Sequence, residues 1–129
     1  MTEKRGEIII PAGIDIWPHE LETAKALAHA GRTVEFQVPV KGSRIKTPDI
    51  SMSGALWEIK CPSSKSLDAI ERNIRRACKQ SKNVVLDTRR MKGPRRVAIE
   101  KEARRCLTRV AEVRQLILIV GFDDVLILK

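Results

Sequence analysis

Apolar and polar residues alternate along the chain with two periods, and these predict a mixture of helices and strands. Pro18 suits the first turn of one helix and Gly31 suits its end, while Ser66 is a candidate N-cap for the next. Helical spacing of apolar residues occurs over residues 18–30, 67–82 and 94–111. Strands are predicted from alternating or continuous apolar runs at residues 8–10, 33–38, 83–87, 115–120 and 125–128.

A β-hairpin is predicted near the middle of the chain, over residues 47–60. Two runs of strand-forming residues flank Ser53-Gly54, a dipeptide that suits a tight turn. With that turn Asp49 faces Glu58, because side chains alternate between the two faces of a strand. One face is then apolar and carries Ile50, Met52, Ala55, Trp57 and Ile59. The other face carries the charged residues Asp49, Glu58 and Lys60.

The charged face of the hairpin is the candidate site for chemistry. Directly opposed residues of a strand pair have Cβ atoms about 4.5–5.5 Å apart, and like charges placed there repel. Placing Asp49 opposite Glu58 is favourable when a divalent cation lies between the carboxylates, since hard cations take oxygen ligands. Lys60 would then offset charge on a phosphate or orient an attacking water. The structural alternative is a solvated polar face with an incidental Glu58–Lys60 pair.

These residues also form a known motif. Pro48-Asp49 followed by Glu58-Ile59-Lys60 resembles the PD-(D/E)xK motif of the restriction-endonuclease-like nuclease superfamily. Over roughly residues 15–129, the chain resembles the C-terminal tRNase domain of contact-dependent growth inhibition (CdiA-type) toxins. The segments that carry this second resemblance are residues 18–25, 33–36, 47–50, 57–63 and 75–81.

The predicted elements run in the order α-β-β-β-α-β-α-β-β, after the short run at residues 8–10, and predict one mixed sheet with helices packed on it. We therefore expect an α/β (α+β) fold, and the resemblance implies its restriction-endonuclease-like form, a mixed central β-sheet with flanking helices. A length of 129 residues suits one compact domain over residues 1–129, with residues 1–7 flexible.

The resemblance also implies which residues form the site. Asp49, Glu58 and the main-chain carbonyl of Ile59 would hold one or two divalent ions, with Mg²⁺ preferred and Mn²⁺ as the alternative. Lys60 would stabilise the pentacovalent phosphate or position the nucleophilic water. Glu20, on the first helix, is a further candidate catalytic acid, and its alternative role is to complement the helix dipole. His19 is expected to serve local structure or to contact substrate.

Three further residues are candidates for substrate binding. Gln80 matches the glutamine that related nucleases carry on the helix after the catalytic hairpin, where it would position water or phosphate. Ser63 would touch the scissile group. Arg75 belongs to a basic run on the same helix, which either contacts phosphates or is a solvated face. The loop at residues 39–44 is a candidate phosphate-contacting lip or an ordinary connector.

The composition of the chain indicates which kinds of partner it can bind. The 25 Lys and Arg residues outnumber the 16 Asp and Glu residues, giving a net charge of +9 that favours a polyanionic partner. No apolar run approaches the roughly 20 residues of a membrane span, so we expect no membrane partner. For this sequence we expect a cytoplasmic location. The three cysteines show no CxxC spacing, which favours reduced thiols. Aromatic residues are scarce, with two Trp, two Phe and no Tyr, which weighs against single-strand binding by a base-stacking platform.

Together these features predict a metal-dependent nuclease. The resemblance implies a tRNA-cleaving toxin that acts in the cytoplasm of a target cell and has a cognate immunity protein. A DNA endonuclease of the repair or restriction kind is the alternative enzyme, because the same hairpin serves both substrates. A non-catalytic nucleic-acid-binding module is the alternative of a different class. The presence of Asp49, Glu58 and Lys60 argues against it, because binding alone needs no opposed carboxylates.

Overall fold

The computed structural model describes residues 5–39 and 47–129, which form one seven-stranded mixed sheet with three helices packed on it. The elements in chain order are β1 (Ile8–Ile9), α1 (Pro18–His29), β2 (Val34–Phe36), β3 (Ile50–Met52), β4 (Ala55–Lys60), α2 (Asp68–Cys78), β5 (Asn83–Asp87), α3 (Arg96–Arg109), β6 (Gln115–Gly121) and β7 (Asp124–Ile127). The strands lie side by side in the order β1 to β7. The predicted mixed α+β class and the order of elements are confirmed.

Strands β4, β5 and β6 form a parallel core, and antiparallel neighbours extend the sheet on both sides. Apolar side chains pack on both faces of this core. Val84 and Leu86 of β5 pack with α2 and α3, whereas Val85 packs with α1. Because the central strands are covered on both faces, polar side chains gather where those strands end. The carboxyl ends of β4 and β5 meet at one edge, and the candidate site lies there.

The hairpin of β3 and β4 has the predicted turn and register. Ser53 and Gly54 have φ angles of 54° and 77°, as a two-residue hairpin turn with matching twist requires. Met52 pairs with Ala55 and Ile50 with Trp57. Trp57 is 2% exposed. Its indole nitrogen donates to the Met52 carbonyl at 2.9 Å. The predicted apolar face of the hairpin therefore packs in the core beside α1.

Several boundaries differ from the predicted ones by one to four residues. Helix α2 ends at Cys78 and not at residue 82. The main-chain amides of Gln80 and Ser81 both donate to the Ala77 carbonyl, and this turn leads the chain into β5. Helix α2 also begins after Leu67, although Ser66 Oγ still accepts a hydrogen bond from the Asp68 amide at 3.2 Å. Strand β2 covers residues 34–36 only, α3 begins two residues after Pro94, and β7 begins at residue 124.

Gly6 and Glu7, just before β1, are more tightly held than predicted. The Gly6 amide donates to the Ala28 carbonyl at 2.8 Å, and the Glu7 amide donates to Thr33 Oγ1 at 3.3 Å. A Cβ at Gly6 would collide with the Arg32 main chain, so this position packs closely. Residues 1–4 lie outside the described residues, as does most of the candidate lip at 39–44. No helix in the described ranges is long and apolar enough to cross a membrane.

Candidate active site

The candidate site forms where β4 runs past the end of β3. The ladder between these strands stops at the Ile50–Trp57 pair, whereas β4 continues to Lys60. In this extension the Ile59 amide donates to Asp49 Oδ2 at 2.8 Å. The Asp49 carboxylate therefore takes the place of a strand partner. Asp49 was predicted to oppose Glu58 across the ladder, and it lies instead just beyond the last ladder pair.

Glu58 is the buried member of the site. It is 3% exposed, and Lys60 Nζ lies 3.4 Å from its Oε2 atom. Burial, followed by the nearby charge of Asp49, raises the pKa of Glu58 from 4.5 to about 7, and the charge of Lys60 opposes this rise. A solvated polar face would show the Glu58–Lys60 pair, but it would show neither the burial of Glu58 nor the raised pKa that follows from it. The structure thus brings Asp49, Glu58 and Lys60 together as predicted. In this site two carboxylates face one lysine, so negative charge exceeds positive charge.

Gln80 contacts the Glu58 carboxylate from the segment that follows α2. In the amide orientation that satisfies both groups, the Gln80 side-chain nitrogen donates to Glu58 Oε1 at 2.8 Å. Gln80 lies just after α2, which packs on β4 and β5. The predicted glutamine therefore lies at the site, and it restrains the orientation of the Glu58 carboxylate.

The chemistry of the donors suits a hard divalent cation. In an extended strand the N–H and C=O of one residue point to the same neighbour, so the Ile59 carbonyl faces the edge where Asp49 accepts its N–H. Two carboxylates and a carbonyl match the way Mg²⁺ is held, with several waters retained. No group of three or more His, Cys, Asp or Glu side chains within residues 5–39 and 47–129 makes a ligand set. The arrangement therefore fits a water-rich Mg²⁺ or Mn²⁺ site better than a closed side-chain cage.

Glu20 approaches the site from the first turn of α1. It lines a cavity of about 240 Å³ together with Trp17, Thr47, Pro48 and Asp49. Glu20 thus shares a cavity with Asp49 but is not part of a three-carboxylate cluster with Asp49 and Glu58. We call this space the acidic cavity, because the carboxylates of Asp15, Glu20 and Asp49 line it.

A larger basic cavity also borders the N-terminus of α1, where Pro18 and His19 line it. Its volume is about 550 Å³, and its walls are Pro18, His19, Glu22, Ser63, Asp87, Arg89, Arg90 and Lys92. Arg90 Nη1 donates to the Cys61 carbonyl at 3.3 Å, so this guanidinium lies beside the residue that follows Lys60. Ser63 lines this basic cavity, whose walls do not include Asp49, Glu58 or Lys60, so its contact with the scissile group stays a prediction. Arg89, Arg90 and Lys92 were not among the candidate site residues predicted from the sequence.

The positions of Arg90 and Lys92 in the chain do indicate where these residues lie in the fold. Arg90 and Lys92 follow β5, and the ends of neighbouring parallel strands meet at one edge of a sheet. A parallel pairing of β4 with β5 would have placed this loop beside Lys60.

Arg75 lies on a different surface from the one predicted. Its Nε donates to Glu71 Oε2 at 3.1 Å along α2, and Arg109 of α3 also contacts Glu71. Arg75 lines neither of the two cavities. Its position indicates an ionic link between α2 and α3, so its role in substrate binding stays a sequence-based prediction without geometric support.

Asp87 fixes the wall between α1 and the strand ends. This carboxylate is 5% exposed and lies 2.7 Å from Arg89 Nη2. It also accepts hydrogen bonds from Thr23 Oγ1 at 2.6 Å and from Arg89 Nε at 2.9 Å. The hydrogen bonds that Arg89 donates to Asp87 raise the pKa of Arg89, which stays charged. The pair holds the first helix against β5 and so maintains the shape of the basic cavity.

We expect Glu58→Gln to stabilise the metal-free protein at alkaline pH. The folded state retains a proton on Glu58 that the unfolded chain releases, so wild-type stability falls as pH rises from 4.5 to about 7. The variant escapes this loss, and its free energy of unfolding should exceed that of wild type by up to about 3 kcal/mol at pH 8. Urea unfolding in EDTA at pH 4 and pH 8 measures the difference.

The matched control is Glu112→Gln, since the Glu112 side chain is 60% exposed in a surface ion pair. The control should show no gain of this size. Equal stability of Glu58→Gln and wild type at pH 8 would contradict the raised pKa of Glu58.

Comparison with known proteins agrees with this architecture. The family model described as the contact-dependent growth inhibition CdiA C-terminal domain matches residues 46–123. A chain from the CdiA-CT/CdiI toxin and immunity complex of Burkholderia pseudomallei is similar in structure, with a TM-score of 0.68 and 18% sequence identity. The similarity covers 96% of this chain and 99% of that chain, and it shows a shared fold. The comparison with curated proteins gave no match.

Proposed function

The chain belongs to the CdiA C-terminal domain family of contact-dependent growth inhibition toxins, and from this premise we propose that it is a metal-dependent nuclease that cleaves tRNA. The observation that carries the proposal is the buried Glu58 carboxylate, held beside Asp49 with Lys60 Nζ 3.4 Å away. A binding surface has no use for a buried carboxylate whose pKa is raised to about 7. The proposal includes the restriction-endonuclease-like assignment of the fold.

Each residue of the site has a role in this chemistry. Asp49, Glu58 and the Ile59 carbonyl would hold Mg²⁺ or Mn²⁺, which supplies a Lewis acid and an activated water when bound. The Ile59 amide fixes the Asp49 carboxylate, and Gln80 fixes that of Glu58. Lys60 carries the positive charge that stabilises the developing phosphorane oxygens.

Two more residues act at the margins of the site. Glu20 shares the acidic cavity with Asp49, and its carboxylate is suited to hold a metal-bound water or a second cation. Ser63 lines the basic cavity and is suited to donate to a phosphate oxygen. Both positions flank the strand end that carries Lys60.

We assign the substrate from the charge of the chain and from its resemblance to tRNase toxin domains. The net charge of +9 and the exposed basic residues around the site favour a nucleic acid over a small phosphodiester. The choice of tRNA over DNA rests on the resemblance to tRNase toxin domains. We also propose a cognate immunity protein, because the similar structure is a toxin and immunity complex, and action in the cytoplasm of a target cell.

The test of substrate is a side-by-side digestion of total tRNA and duplex DNA in Mg²⁺, with wild type and Glu58→Gln. The proposal predicts discrete tRNA fragments with wild type, at least about 10²-fold fewer with the variant, and intact DNA. DNA fragments that depend on Glu58, with intact tRNA, would assign the protein to DNA cleavage. No cleavage of either substrate by wild type would contradict the nuclease proposal.

A further inference from the structure

Trp17 is an exposed aromatic residue at the mouth of the candidate site. Its side chain belongs to the acidic cavity with Glu20 and Asp49, and the residue is 68% exposed. Its main chain is fixed, because the Trp17 carbonyl accepts hydrogen bonds from the amides of Glu20 and Leu21 at 3.0 Å each. The indole is thus held on a rigid helix start while most of its surface meets water.

A second ring connects Trp17 to the basic cavity. The rings of Trp17 and His19 are stacked, with centroids 6.1 Å apart and planes 20° from parallel. His19 lines the basic cavity together with Arg90 and Lys92. The aromatic pair therefore lies between a cavity with catalytic carboxylates and a cavity with phosphate-binding groups. A nucleotide is complementary to this arrangement, because its base is a flat ring that can stack and its phosphate is an anion that a basic side chain can bind.

We propose that Trp17 and His19 form a stacking platform for one unpaired nucleobase of the substrate, with an adjacent phosphate held by Arg90 and Lys92. This inference rests on the proposed nuclease function and specifies its substrate class. Folding gains nothing from an indole that is 68% exposed, whereas base stacking on a fixed aromatic ring stabilises a complex without regard to sequence.

The platform defines which nucleic acids fit. A base within a duplex is stacked on its neighbours and has no free face for an indole, so a paired segment cannot occupy the platform. An unpaired nucleotide in a loop or at an end can. The few aromatic residues of the chain argue against an extended single-strand track, and one platform beside the site is consistent with recognition of a single base.

Binding in EDTA tests the platform without any cleavage. The probe is a labelled single-stranded RNA of about 12 nucleotides and mixed sequence, compared by anisotropy with the blunt duplex of the same sequence. We expect Trp17→Ala to weaken single-strand binding roughly 5- to 150-fold and to leave duplex binding unchanged. Trp17→Phe should retain most of the affinity, because phenylalanine also stacks.

Intrinsic fluorescence gives a second readout. The other tryptophan, Trp57, is 2% exposed in the core, so quenching on addition of single-stranded RNA reports on Trp17. Wild type should be quenched and Trp17→Phe should not. Lys92→Gln should lower the slope of log affinity against log salt by about 0.7, as for one phosphate contact on a single strand.

Ile127→Ala is the matched control, since Ile127 is 65% exposed on β7, away from both cavities. Single-strand affinity of Trp17→Ala equal to that of wild type would overturn the platform, as would an equal loss for the duplex. The proposed nuclease function fails separately, if wild type in Mg²⁺ leaves total tRNA intact although the single-stranded RNA binds in a way that depends on Trp17.

Discussion

Lys60→Met is expected to lower the rate of tRNA cleavage by at least about 10²–10³-fold while the protein stays folded. Methionine keeps an unbranched side chain only one atom shorter than lysine and removes the charge that lies 3.4 Å from Glu58. Without that charge, nothing at this position stabilises the developing oxyanion. Single-turnover cleavage at saturating Mg²⁺ measures the effect, and calorimetry with Mn²⁺ shows whether cation binding persists.

Lys101→Met is the control, because Lys101 is an exposed lysine on α3. The control should cleave like wild type. A Lys60→Met protein that cleaves within a few-fold of wild type would remove Lys60 from the chemistry. Loss of Mn²⁺ binding together with activity would mean instead that Lys60 acts by shaping the metal site.

Asp87→Ala is expected to lower the free energy of unfolding by about 3–5 kcal/mol. The substitution leaves the Arg89 guanidinium, which is 23% exposed, without its carboxylate partner. It also removes the closer of two acceptors of the Thr23 hydroxyl, the other being the His19 carbonyl at 3.0 Å. Since these contacts join β5 to α1, the loss should appear as a lower midpoint in urea unfolding with an unchanged slope.

Two variants bracket this effect. Thr23→Val removes one hydrogen bond to a charged group and should lower stability by about 1.5–3 kcal/mol. Asp124→Ala breaks a pair of similar length, 2.6 Å to Arg96, whose side chains are 64% and 51% exposed, and it should change stability by about 1 kcal/mol or less. An Asp87→Ala protein no less stable than Asp124→Ala would contradict a structural role for Asp87.

The hairpin could be predicted from sequence because its determinants are local. Alternation of side chains and the Ser53-Gly54 turn together fix the register, and one slipped residue would turn Trp57 out of the core. The charged face that holds Glu58 and Lys60 follows from the same register. The hydrogen bond from Ile59 to Asp49 does not, because it depends on where the β3 ladder stops.

The rest of the site depends on contacts between distant segments. Arg90 reaches the Cys61 carbonyl only because β4 and β5 pair in parallel, which no local pattern specifies. Asp87 was taken as the end of a strand, and its burial depends on Thr23 of α1. Arg75 is different, because Glu71 lies four residues before it, which is the spacing of a local ion pair on a helix and can be read from the sequence.

The central claim is that Asp49 and Glu58 hold a divalent cation that tRNA cleavage requires. The most direct measurement is the initial rate of tRNA cleavage at pH 8 as Mg²⁺ is added to EDTA-treated protein, for wild type, Asp49→Asn and Glu112→Gln. We predict no cleavage before addition, saturable recovery for wild type and Glu112→Gln, and at least about 10²-fold slower cleavage by Asp49→Asn at every Mg²⁺ concentration. Undiminished cleavage by wild type in EDTA, or full recovery of Asp49→Asn, would contradict the claim.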